Sequence, residues 1–210
     1  MISDELRAFF AHETIRAGQE ELIADLAMAF SEKKVLLAHA PTGLGKTASA
    51  LSVALYFAFK SDKTVLFLTN RQTQHRIAIE TLKLISARRG ESIHCVDLLG
   101  KRSMCSQEVA SLFGNDFMEF CKTIVERGEC EFYNRVKSKK GVSVEAQALV
   151  SDIKRSGPVH AGELSERAQT EKMCGYEVSL LVGKGARVVI ADYNYVITTR
   201  APLPTKSDTS

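Results

Sequence analysis

The residues best suited to chemistry lie in one short run, Ala40-Pro41-Thr42-Gly43-Leu44-Gly45-Lys46-Thr47. A Gly-rich turn of this kind lets backbone N–H groups wrap an anion, and a helix opened by it adds positive potential from its N-terminus. Thr42, Gly43, Leu44 and Gly45 would form the cradle. Lys46 would face the β- and γ-phosphates of ATP, and the Thr47 hydroxyl would ligate Mg²⁺, so these two carry the catalytic chemistry of the loop. Ala40 stands where the pattern usually begins with glycine. Upstream, Arg16-Ala17-Gly18-Gln19 offers a second nucleotide contact. The Gln19 amide has one donor and one acceptor edge, which suits the Hoogsteen edge of adenine. Arg16 belongs to the same cofactor-binding segment.

Cysteine is the second chemical signal. Cys105, Cys121, Cys130 and Cys174 are separated by 15, 8 and 43 residues, with no Cys-x-x-Cys pair among them. Four thiolates can hold a [4Fe–4S] cluster or one zinc ion, and the spacing alone does not choose between them. They lie in a polar segment that reads as too small and too poor in large apolar side chains to fold without a staple. Cys95, in Ile93-His94-Cys95-Val96, reads as a buried core residue of a strand. Arg135, Lys137, Lys139 and Lys140 follow Phe132 and Tyr133. Rings beside cations suit single-stranded DNA through stacking and phosphate pairing, although such a run also reads as a solvated loop. His12, His39, His75 and His160 are isolated along the chain and carry no assigned role.

The elements that must position these groups follow from apolar periodicity. Residues 18–30 and 72–87 read as amphipathic helices, and 48–60 as a buried one. Residues 35–38, 64–69, 93–98 and 187–191 read as strands. Strand and helix alternate, which predicts a parallel sheet covered by helices on both faces. From about 101 to 172 the pattern breaks into a polar stretch with helices at 117–126 and 144–155, and α/β character returns with a helix at 176–182. The segment 198–210 reads as a disordered tail.

Composition limits the function classes. The chain has 210 residues, 45% of them hydrophobic, and a net charge of +3. That suffices for one core and a small insertion, and the overall charge does not itself announce nucleic acid. No apolar run approaches the ~20 residues of a membrane span. No basic-then-apolar leader opens the chain, which predicts a cytoplasmic, reducing compartment.

Several motifs in order resemble the N-terminal portion of XPD-type (XPD/DinG-like) iron–sulfur superfamily 2 DNA helicases. Phe9-Phe10-Ala11-His12-Glu13 runs into Arg16-x-Gly-Gln19 and the phosphate loop. Leu68-Thr69-Asn70-Arg71-Gln72-Thr73-Gln74 is similar to that family's motif Ia. Gly100-Lys101-Arg102-x-x-Cys105 resembles the start of its iron–sulfur domain, and Cys174-Gly175-Tyr176-Glu177 the end. Val188-Val189-Ile190-Ala191-Asp192-Tyr193-Asn194-Tyr195 resembles the strand returning to the motor. Ala11-His12 stands where the family usually has Pro-Tyr, and Gly175 where it usually has Pro.

The resemblance implies a RecA-like motor domain over 1–100 and 175–197, with an iron–sulfur insertion over 101–174. It implies ATP, Mg²⁺ and a [4Fe–4S] cluster on Cys105, Cys121, Cys130 and Cys174. DNA contacts fall on Arg71, Gln72 and Gln74, with Tyr133, Arg135 and Lys137 added from the basic run. In the intact family the motor pulls one strand 5′ to 3′ at a fork and serves DNA repair. The Asp-Glu-Ala-His box, arch domain and second motor domain with its arginine finger are not in this sequence, so the chain is expected to bind ATP and hardly hydrolyse it. A small P-loop kinase and a non-enzymatic iron–sulfur DNA-binding protein are the alternatives. A kinase would leave the four cysteines and Arg16-x-x-Gln19 without a job.

Overall fold

A computed structural model of the protein describes residues 2–111, 114–138 and 141–198. Helix α1 (Asp4–Arg7) is capped by the Ser3 hydroxyl, and α2 (Gln19–Ser31) starts after Gly18. Helix α3 (Lys46–Lys60) starts after Gly45, and β1 (Val65–Thr69) and α4 (Gln72–Arg89) follow. Strand β2 (Cys95–Leu98) leads into the cysteine segment. That segment holds α5 (Gly114–Glu126), α6 (Glu131–Val136), the two-residue strands β3 (Lys137–Ser138) and β4 (Gly141–Val142), α7 (Val144–Arg155) and α8 (Ala161–Thr170). Helix α9 (Gly175–Gly183), β5 (Val188–Asp192) and α10 (Tyr193–Thr198) complete the described chain.

The main sheet is parallel, in the order β1-β5-β2. Strand β5 pairs on both edges, Val188 with Val65 and Cys95, Ala191 with Leu68 and Leu98. A strand in that position is covered on both faces, hence its run of Val, Ile and Ala. Its alternation sorts the core into two layers. Val188 and Ile190 meet Leu51 and Leu55 of α3 and Ile79, Leu82 and Ile85 of α4. Val189 and Ala191 share the opposite layer with Leu164 of α8 and Val178 and Val182 of α9. The α/β architecture with helices on both faces is therefore as expected.

Two expectations need correction. Residues 35–38 form no strand: Val35 is 99% and Leu37 98% exposed. An apolar strand is buried only when its backbone pairs in a covered sheet, and among the described residues this segment has no strand partner. Nor is the segment 101–174 without a core. Met104, Val136, Ala146, Ile153, Val159, Leu164 and Met173 are buried and continuous with the sheet residues Val96, Leu98 and Val189. These apolar side chains are spread thinly along the chain, so no window looks rich in them, yet α7 and α8 collect them against α9. The packing thus splits the segment: α7 and α8 join the layer over the sheet, while residues 101–133 surround the cysteines.

Residues 199–210, most of the predicted tail, lie outside the described residues, as do Lys139 and Lys140 of the basic run. Among the described residues no helix is long and apolar enough to cross a membrane.

Candidate functional site

The phosphate loop is built from two left-handed glycines, Gly43 (φ 86°) and Gly45 (φ 88°), a region that side chains with a Cβ rarely enter. Gly45 caps α3, so the free N–H groups of that helix open onto the loop. The Lys46 ammonium is folded into the loop, donating to the carbonyls of Ala40 and Pro41, both at 2.8 Å. Thr42 and Gly43 are exposed, while Leu44 and Thr47 are half-buried at its base.

The upstream pair reaches this loop. Arg16 donates from its guanidinium to the Gly43 carbonyl at 3.1 Å. Gln19 is 2% exposed and its Oε1 accepts the Arg16 backbone N–H at 2.7 Å. A Cβ at position 45 would collide with the Gln19 amide nitrogen, and a Cβ at position 18 would stand 3.2 Å from Leu44 Cδ1. The fold thus places Arg16 and Gln19 against the loop. In this arrangement Gln19 is packed against Gly45 and bonded to the backbone of its own segment.

The four cysteines Cys105, Cys121, Cys130 and Cys174 line one cavity of about 670 Å³. Its wall also includes Phe117, Phe132, Tyr133, Tyr176 and Glu177. Cys174 caps α9 without a side-chain capping bond, its thiol lying at the start of that helix. The Cys105 sulfur accepts one from Gln107, whose side-chain amide donates to Cys130 Sγ at 3.2 Å. Burial pushes the Cys105 and Cys121 thiols up and the Cys174 thiol up to about 11. Among the described residues no group of three or more His, Cys, Asp or Glu is drawn together tightly enough to hold a single metal ion. Cys95 lies elsewhere, 3% exposed in β2, its thiol pushed by burial up to about 12.

The residues expected to touch nucleic acid divide into two groups. Arg71, Gln72 and Gln74 sit at the C-terminal end of β1, the side where open parallel sheets bind ligands. The Thr69 hydroxyl oxygen accepts the Arg71 N–H at 3.4 Å, and Arg71 and Gln72 are exposed. Tyr133, Arg135 and Lys137 differ in their surroundings. Tyr133 lines the cysteine cavity, and Lys137 is paired with the buried carboxylate of Glu177 at 2.5 Å. Arg135 remains exposed.

One polar cluster is illegible along the chain. His75 and Asp97 are both buried and their Nδ1 and Oδ1 atoms lie 2.5 Å apart, with His160 Nε2 3.6 Å from Asp97 Oδ2. The three residues come from α4, β2 and the turn before α8. Only the alternation of β2, which turns Asp97 to the same face as Cys95, hinted at a buried carboxylate needing partners.

A DEAD_2 family model matches residues 67–207, most of the chain and all four cavity cysteines. A second model, described as the res subunit of type III restriction enzymes, matches residues 12–111, which hold the phosphate loop. Among solved structures, one described as truncated XPD aligns with a TM-score of 0.54 at 20% identity. It is matched over 86% of this chain and 46% of its own, so this chain spans less than half of that structure. No curated protein sequence matches the chain. The phosphate loop and the parallel sheet agree with these matches: the chain belongs to the DEAD_2 family, and its fold is similar to part of the truncated XPD structure.

Proposed function

We infer that this segment serves an ATP-dependent, iron–sulfur DNA helicase that moves 5′ to 3′ along one strand and acts in DNA repair. The observation that carries this reading is the convergence of four cysteines, far apart in sequence, on one cavity beside a phosphate-loop domain. The donor set fits a cluster: four sulfurs at the wall of a wide, mostly apolar space, with N–H groups of Gln107 at two of them. A single zinc would need the sulfurs gathered about 2.3 Å from one point. A bound [4Fe–4S] cluster would supply a rigid tie and a redox centre. Gln107 and the start of α9 would stabilise the thiolates that hold it.

Lys46 and Thr47 would bind the phosphates and Mg²⁺ of ATP. Arg16 and Gln19 hold the loop's shape and border the nucleotide. Arg71 and Gln72 would grip phosphates of single-stranded or fork DNA, and a second motor domain would complete the ATP site. Binding of a fluorescent oligothymidylate, followed by anisotropy at low and raised salt, tests the nucleic-acid part. Affinity should fall with salt, because phosphate contacts release counterions. It should also fall several-fold in Arg71→Ala. No binding at low salt would overturn this reading.

A further inference from the structure

A buried polar chain crosses the core from the start of α8 to the C-terminal end of the sheet. Asp97 is 1% exposed, and its Oδ2 accepts the backbone N–H of Ala161 at 2.9 Å. Its Oδ1 meets His75 Nδ1 at 2.5 Å. His160 caps α8 by accepting the Gly162 N–H on its own Nδ1 at 3.0 Å. An accepting Nδ1 leaves the proton of the neutral ring on Nε2, and that nitrogen faces Asp97 Oδ2 at 3.6 Å. Three N–H groups thus surround one carboxylate, which is what a buried charge requires.

A carboxylate accepts, so His75 donates from Nδ1, and its Nε2 points away from that bond. Nε2 is buried and has no hydrogen-bond partner. It lies 3.9 Å from Asp192 Oδ1, on a side chain that is 39% exposed. A shift of about 1 Å brings the two to hydrogen-bond length. Asp192 ends β5 and is paired in register with Thr69, two residues before Arg71. His75 itself lies in the first turn of α4, and its backbone N–H donates to the Arg71 carbonyl at 3.4 Å.

We propose that His75 is a positioning residue: by joining Asp97 to Asp192 it fixes the first turn of α4 against the start of α8. Nucleic-acid contact at Arg71 and Gln72 and the order of the α8 N-terminus are thereby coupled. The coupling rests on the reading of that turn as phosphate-binding. The relay itself rests only on the buried polar chain.

The test uses Asp192, whose removal leaves the core filled. Asp192→Ala should exchange the Ala161 amide faster and bind oligothymidylate about fivefold more weakly, the lower end of ordinary coupling, with an unchanged urea midpoint. Asp192→Asn should restore both, because its amide N–H can donate to Nε2. By reciprocity, oligothymidylate should slow Ala161 exchange in the parent chain and not in Asp192→Ala. Unchanged Ala161 exchange in Asp192→Ala overturns the relay. If Arg71→Ala binds like the parent chain, the phosphate-binding reading fails, and Ala161 exchange in Asp192→Ala still decides the relay.

Discussion

The backbone N–H of Cys174 donates to the carbonyl of Phe132 at 3.0 Å. That bond closes the cysteine segment on itself, bringing Cys174 beside the helix capped by Cys130. The two ends are thus joined by main chain as well as by the shared cavity. Residues 144–170 between them belong to the layer over the sheet.

This division predicts how the segment loosens. Replacing any cavity cysteine with Ser should expose residues near 101–133 to limited proteolysis while α7 and α8 stay protected, since their buried apolar side chains pack on the sheet whatever the cysteines hold. Cleavage spreading evenly through residues 101–174 would show that α7 and α8 depend on the cavity after all.

Lys46→Ala should weaken ATP binding at least tenfold, about 1.4 kcal/mol. It removes the cation aimed into the loop and disturbs only an exposed side chain. Calorimetry gives the affinity and circular dichroism checks the fold. Equal affinity with an intact fold would mean that Lys46 does not face the nucleotide.

Gly175 has a steric reason. A Cβ there would stand 2.9 Å from the Met104 carbonyl and 3.2 Å from Ser165 Oγ. Gly175→Ala should cost about 1–3 kcal/mol, as overpacking does, measured by urea unfolding. It should also lower iron content, because Met104 adjoins Cys105. A variant as stable and as loaded as the parent chain would contradict this contact.

The thiols set a pH dependence. Burial holds Cys174 at about 11 and Cys95 at about 12, above the ordinary unfolded thiol near 8.5. A raised thiol is favoured neutral in the folded state, so its contribution is complete below about pH 8.5. That contribution is lost as pH rises toward 11–12. In the reduced, metal-free chain, urea midpoints should fall over this window, and Cys95→Ala should fall less steeply. Cluster loading runs the other way and should improve as thiols ionise, from mildly acid to mildly alkaline pH. Parallel slopes for Cys95→Ala and the parent chain would count against the buried-thiol account.

Much of the fold was legible because β1, β5, α3 and α4 carry strong periodic or continuous apolar patterns. The phosphate loop was legible because its glycines, Lys46 and Thr47 are contiguous. The segment 35–38 misled because apolar character reports a strand's tendency to be buried, while pairing depends on neighbours distant in sequence. Lys137 looked like a free cation because Glu177 lies forty positions away. The partners of Asp97, His75 and His160, were silent for the same reason.

Iron per chain after anaerobic purification tests the central claim most directly, compared among the parent chain, Cys174→Ser and Cys95→Ser. The account predicts a brown parent protein, loss of iron in Cys174→Ser, and full retention in Cys95→Ser, whose thiol lies in β2 away from the cavity. Iron lost with Cys95→Ser and kept with Cys174→Ser, or zinc in place of iron in the parent chain, would contradict it.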